Sequence, residues 1–244
     1  MTNAYRVGKQ AFAWVTVVTT ILWSMGFAAL AQLLVPLAAQ AAAPNLQAGD
    51  LIQFEGDPNK AVYVMGSDMK RYYFPTLQVF ETWHKKAGVA NFESLQKIAQ
   101  EYSDNWAVGG GVNPRAGACF LVKSPVSPNV YAILPGNKKA KLSSPEIAEA
   151  LYGSNWGSCL AGKQWSDIFD ANLTVADPLT ESKFHDGQLV QEVGKLDVYQ
   201  VSGGQLYKVE GTLSDAAKGD IRAVGSLSTY TTAATTVTAA SVVA

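Results

Sequence analysis

Two histidines, two cysteines, a run of acidic residues and a generous set of aromatic side chains are the residues of this chain that could do chemistry. His84 and His185 are the only imidazoles, so Ser-His-Asp or Cys-His catalysis would have to use one of them. His84 precedes Lys85 and Lys86 at the end of a predicted helix, where an exposed imidazolium would complement the helix dipole. His185 stands between Phe184 and Asp186 in a loop before a predicted strand. Neither is near a Gly-x-Ser-x-Gly elbow or a His-Glu-x-x-His motif, and the sequence points to no catalytic residue. Gly109-Gly110-Gly111 lacks the Lys-Ser/Thr and helix that would make it a phosphate loop and reads as a flexible connection. Asp167, Asp170 and Asn172, with Asp177 nearby, could gather oxygen ligands for Ca2+, although an exposed helix face with its caps is the preferred reading. No other cofactor is implied. Cys119 and Cys159 are an even number with no Cys-x-x-Cys spacing, which favours a disulfide over zinc. The aromatic residues Tyr72, Trp83, Trp106 and Trp156 are the binding candidates. A minority of the aromatics left exposed on one face would suit stacking on glycan rings or on a partner chain.

These residues are positioned by a recurring pattern. Gly49-Asp-Leu-Ile52, Gly117-Ala-Cys-Phe-Leu-Val122 and Gly187-Gln-Leu-Val190 begin 68 and then 70 residues apart, and each opens a predicted strand. About a dozen residues later comes the same dipeptide, as Val62-Tyr63, Val130-Tyr131 and Val198-Tyr199. A Gly or Asn turn follows, at Gly66-Ser67-Asp68, Pro135-Gly136-Asn137 and Gly203-Gly204, and then a third strand. The period next changes to helical. Ser144 can cap a helix with Pro145 at its first position and Gly153 at its end, a counterpart follows Pro75, and a weaker one spans Leu213 to Lys218. A second short helix is predicted on Leu95, Ile98, Ala99 and Tyr102, and again on Trp165, Ile168, Phe169 and Leu173. The fold class is therefore α+β, with three tandem repeats after an N-terminal apolar helix. Each repeat is a small antiparallel sheet with one or two short helices, too small to bury a generous core alone.

The N-terminus has a different composition. Arg6 and Lys9 are the only charges before Asp50, and an apolar stretch of about 21 residues from Ala11 to Ala31 follows them. Pro36 and the Ala-x-Ala patterns near Ala41 complete a signal peptide, while a retained signal anchor is the alternative, since the stretch just spans a bilayer core. Both place the rest of the chain outside the cytoplasm, at the cell surface or beyond. Without Arg6 and Lys9 the 19 basic residues fall to 17 against 20 acidic, so no basic face for nucleic acid is present, and contact with a membrane is expected only through the N-terminal segment. The expected divisions are 1–43 signal peptide or anchor, 44–116 first repeat, 117–186 second repeat, 187–225 a truncated third repeat, and 226–244 a Thr/Ala/Val-rich linker or stalk.

The pattern Gly-x-Leu-[Val/Ile], Val-Tyr-x-[Val/Ile], a glycine turn and Lys-Arg-Tyr-Tyr-Phe-Pro at 70–75 resembles the tandem repeats of secreted bacterial surface proteins, notably those of candidate-phyla bacteria. Similar repeats resemble modules attached to cell-wall enzymes. The resemblance covers about 49–225 and carries no catalytic residues. It implies a non-catalytic, exported structural or adhesive scaffold of the surface-layer kind that associates with itself. The alternative is a wall- or glycan-binding module of a longer surface protein or wall enzyme, with cell-wall polysaccharide as its partner.

Overall fold

The computed structural model describes residues 43–124, 126–164 and 173–242. The proposed leader, the second helix expected at Trp165, Ile168 and Phe169, and the calcium candidates Asp167, Asp170 and Asn172 lie outside them. The chain divides at Asn45, and Leu46–Ala244 forms one compact unit of mixed α+β structure. Among the described residues no helix is long and apolar enough to cross a membrane.

Three five-stranded sheets make up this unit. The first contains Leu51–Glu55 (β1), Val62–Met65 (β2) and Arg71–Tyr73 (β3) as an antiparallel meander. A helix, Leu77–Trp83 (α1), and a two-stranded hairpin of Lys85–Lys86 (β4) and Val89–Ala90 (β5) lead to Gln96–Ala99 (β6), parallel to β1. The chain then returns to Val108–Gly111 (β7), parallel to β3. The second sheet has the meander Leu121–Lys123 (β8), Val130–Leu134 (β9) and Lys138–Leu142 (β10). Next come the helix Pro145–Tyr152 (α2) and the parallel edges Leu160–Gln164 (β11) and Thr174–Leu179 (β12). The third has Leu189–Glu192 (β13), Val198–Ser202 (β14) and Gln205–Glu210 (β15). It continues with Asp215–Gly219 (α3), Arg222–Val224 (β16), Thr231–Thr238 (β17) and a last turn, Ala239–Val242 (α4).

The strand order is the same in all three sheets, and so is the register of the first hairpin. Ile52 faces Tyr63, Val122 faces Tyr131, and Val190 faces Tyr199. The opening glycines donate to Met65, Ile133 and Val201. Their positive φ of 92°, 73° and 89° is open to glycine without the strain a Cβ would bring. Each of α1, α2 and α3 begins with a hydroxyl side chain, Thr76, Ser144 or Ser214, that accepts from the amide three residues on at 3.2, 3.3 and 3.2 Å. Alternate strand residues point to opposite faces, which lets each sheet be covered twice. In the second and third sheets Leu121 and Leu189 face the sheet's own helix, against Leu151 of α2 and Ala217 of α3. The opposite face packs under the segment between the two parallel strands, Tyr102 and Trp106 over Ile52 in the first sheet, Leu227 and Tyr230 over Val190 in the third. In the second sheet Val122 and Ile133 pack against Leu173 and against Val79 of α1, so the first helix also serves the second sheet.

Four expectations are corrected. The sheets are mixed rather than antiparallel, because the predicted second helix at Leu95–Tyr102 is strand β6 followed by a 3-10 turn, Gln100–Asn105. Pairing with β1 satisfies backbone groups that a helix there would have left open, and this outweighs an i, i+3 apolar spacing. Gly109-Gly110-Gly111 is not a loose connection but the edge strand β7, and a Cβ on Gly109 would lie 2.4 Å from the Tyr72 ring, which occupies that space. The segment 226–244, expected as a linker, buries Leu227 and supplies β17 and α4, so the third sheet is complete rather than truncated. Its register shifts between Leu206 and Lys208, which erases the two-residue alternation from the sequence. The cluster Lys138-Lys139-Ala140-Lys141 reads in the sequence as a strand edge where lysine deters pairing, but Lys139 is buried on the inner strand β10, with its ammonium 5.8 Å from the Tyr131 ring centre.

Outer strands β7, β12 and β17 all carry a register shift against their neighbour.

Candidate functional site: the junction of the three sheets

The segment between the first and second sheets contains Arg115, which is 2% exposed. Its backbone N–H donates to Thr82 Oγ1 at 3.0 Å, and its Nε donates to the Thr82 carbonyl at 3.0 Å, both on α1. Nη2 is paired with Oδ2 of Asp220, the residue that ends α3. Asp220 Oδ1 accepts from the Cys119 N–H at 2.9 Å. One buried ion pair thus joins elements of all three sheets. Burial pushes the Asp220 carboxyl above its ordinary range and the Arg115 guanidinium below its own, and each partner's charge opposes the shift. Nη1 of Arg115 is buried with no hydrogen-bond partner among the described residues.

Close backbone contact adds to this junction. A Cβ on Gly117 would lie 2.2 Å from the Gly187 carbonyl oxygen, so the openings of the second and third sheets meet where only glycine fits. Beside them His185 is 6% exposed. Its Nδ1 is 2.9 Å from the Asp186 carbonyl, a contact that requires Nδ1 to carry the proton, and Nε2 therefore accepts from the Tyr152 hydroxyl at 2.6 Å. Gln188 accepts from the His185 N–H at 3.0 Å and donates to the Leu151 carbonyl at 3.1 Å. Burial holds the imidazole neutral, down to a pKa of about 4, and raises the Tyr152 phenol. A neutral, fully bonded imidazole inside a packed seam is a structural element rather than a base reaching substrate.

His84 is also corrected. It does end α1, but its ring lies half-buried, 5.0 Å from Phe80 and 5.8 Å from Phe74. Burial lowers its pKa and suppresses the charge expected to complement the helix dipole.

The disulfide Cys119–Cys159 is formed, with Cα atoms 4.7 Å apart. It borders a cleft of about 420 Å³ between Glu81 and Lys85 on one side and Asp215 and Asp220 on another. A second cleft, of about 460 Å³, is walled by Trp83, Asn113, Arg115, Asn137, Gln200 and Ser202 among others.

The four aromatic candidates are not brought together. Trp106 packs against the core of the first sheet and Trp156 against that of the second. Tyr72 donates its hydroxyl to Asp68 at 2.9 Å and lies against Gly66 and Gly109. Only Trp83 borders the junction: it belongs to none of the five apolar clusters of the described residues, and its Nε1 donates to the Asn113 carbonyl at 2.8 Å. Asp177 lies on β12, and among the described residues no group of three or more His, Cys, Asp or Glu could hold a metal ion.

Arg115, Asp220, Thr82 and the Tyr152–His185 pair escaped the sequence reading, because their partners lie 33 to 105 residues apart with no local pattern to mark them.

No family model matches the chain, and no curated protein matches it. A chain of a solved structure, described as an intact ESX-5 inner membrane complex in a composite C3 model, aligns at 12% identity over 91% of this chain and 57% of that one, with a TM-score of 0.19. This chain therefore spans a little over half of that chain's length, at a score too low to carry an inference about fold or function.

Proposed function

We propose that the chain is a non-catalytic, exported protein of the cell surface, a structural or adhesive scaffold built from three repeats of one unit. The supporting observation is the threefold recurrence of a single strand order and hairpin register around one buried ion pair. A unit of this kind is selected for packing and for broad surfaces rather than for a convergent pocket. Both imidazoles are withdrawn into packed surroundings, and neither lines either of the two junction clefts. The Cys119–Cys159 bond fits an oxidising compartment, in keeping with an apolar leader behind Arg6 and Lys9.

Two measurements test this together. Expressed with its own N-terminus in a bacterial host, the chain should be cleaved by protease added to intact cells or recovered from the medium, with its cysteines oxidised. Purified, it should sediment as a concentration-dependent assembly in the absence of any polysaccharide. A strictly monomeric chain found reduced in the cytoplasm defeats the proposal.

A further inference from the structure

We propose that the cleft beside Trp83 is a saccharide-binding site, a role that goes beyond the scaffold reading and stands without it. Five observations meet there. Trp83 is half-buried and packs in no apolar cluster, so its ring is not used as core. The 2.8 Å bond from its Nε1 to the Asn113 carbonyl fixes the indole edge, and ordering the ring in advance removes part of the cost of stacking a ligand on its face.

The polar groups around it are neutral amides and a hydroxyl. Asn113 Nδ2 donates to Asn137 Oδ1 at 2.8 Å, which orients both amides at the tip of the β9–β10 hairpin. From the third sheet β14 adds Gln200 and Ser202, whose side chains make no hydrogen bond among the described residues. Arg115 forms part of the wall, and its buried Nη1 is a donor still lacking an acceptor.

An apolar platform with paired donors and acceptors around it matches a sugar ring, which offers an apolar C–H face and a rim of hydroxyls. Phosphate and acidic ligands are disfavoured, because the single guanidinium in the wall is already neutralised by Asp220. A volume of about 460 Å³ accommodates one or two rings rather than a long chain.

The test is calorimetric titration of the whole chain with cellotriose and with N-acetylchitotriose. We expect saturable binding by at least one of them, with Kd of about 1 mM or tighter. Trp83→Ala should weaken it by at least roughly tenfold, as removal of a central aromatic anchor does. Gln200→Ala should weaken it severalfold, with unchanged far-UV circular dichroism and melting temperature; it keeps the test valid if Trp83→Ala unfolds. Trp106→Phe and Trp156→Phe, in the cores of the sheets, should bind as the parent does. Absence of saturation with both sugars, equal affinity in the Gln200→Ala and Trp83→Ala variants, or binding of an unrelated tripeptide in place of the sugars overturns the assignment. Failure here leaves sedimentation behaviour untouched, so the two proposals fall separately.

Discussion

The buried imidazole of His185 makes a pH prediction that follows from its surroundings. Its folded pKa, about 4, lies below the ordinary value of 6.5. Above pH 6.5 both folded and unfolded chains carry a neutral ring and the group makes no pH-dependent contribution. Between 6.5 and 4 the unfolded chain takes up a proton that the folded chain refuses, so stability falls with falling pH, by up to about 3 kcal/mol, and levels off below 4. His84 acts in the same direction, whereas Asp220, with its raised carboxyl, acts in the opposite one. Urea unfolding at pH 7 and pH 4.5 should show this loss in the parent and at least half of it removed in His185→Gln; an equal loss in both excludes His185 as its source. Little of this was legible beforehand. A histidine between Phe184 and Asp186 gives no sign that Tyr152 will supply the donor and Gln188 the seam. By contrast the caps at Thr76, Ser144 and Ser214 depend on the next three residues alone, and the clearest of them, Ser144 before Pro145, was read directly from the sequence.

At the level of elements the disulfide is the strongest local constraint. Cys119 precedes β8, and Cys159 closes the 3-10 turn that leads into β11, so the bond fixes the approach of two strands whose register is otherwise held only at Leu160–Leu121 and Gln164–Lys123. Cys119→Ala with Cys159→Ala should lower stability by about 3 to 4 kcal/mol, the scale expected for a closed loop of 40 residues. A loss below about 1 kcal/mol in chemical unfolding would show that strand pairing alone sets this edge. The hairpins were legible because a turn glycine between alternating runs is a local signal. The edge strands were not. Gln96–Ala99, Val108–Gly111 and Thr231–Thr238 owe their extended form to a neighbour already in place, and a window of sequence does not contain that neighbour.

The whole molecule depends on the Arg115–Asp220 pair, which touches α1 through Arg115 and, from the end of α3, the entry to the second sheet through Asp220. Replacing it with methionine leaves Asp220 buried without its counter-charge, and the expected cost is about 3 to 5 kcal/mol. The double variant Arg115→Met with Asp220→Leu should recover part of that loss, since the orphaned carboxylate is then gone. Equal stability of single and double variants would mean that the pair acts through shape alone. The recurring glycines and Val-Tyr pairs were visible in the chain, but the closure of the three sheets on one guanidinium was not, because a lone arginine after Pro114 shares no spacing with them. The shifted register of the outer strands has a consequence for life at high concentration. A strand docking on β7, β12 or β17 would lose step with its template at the bulge, so an uninterrupted ladder of main-chain bonds does not extend from one molecule to the next through these edges. Main-chain fusion of crowded, folded molecules through these three edges is therefore disfavoured, and an ordered array built across them is held by side chains.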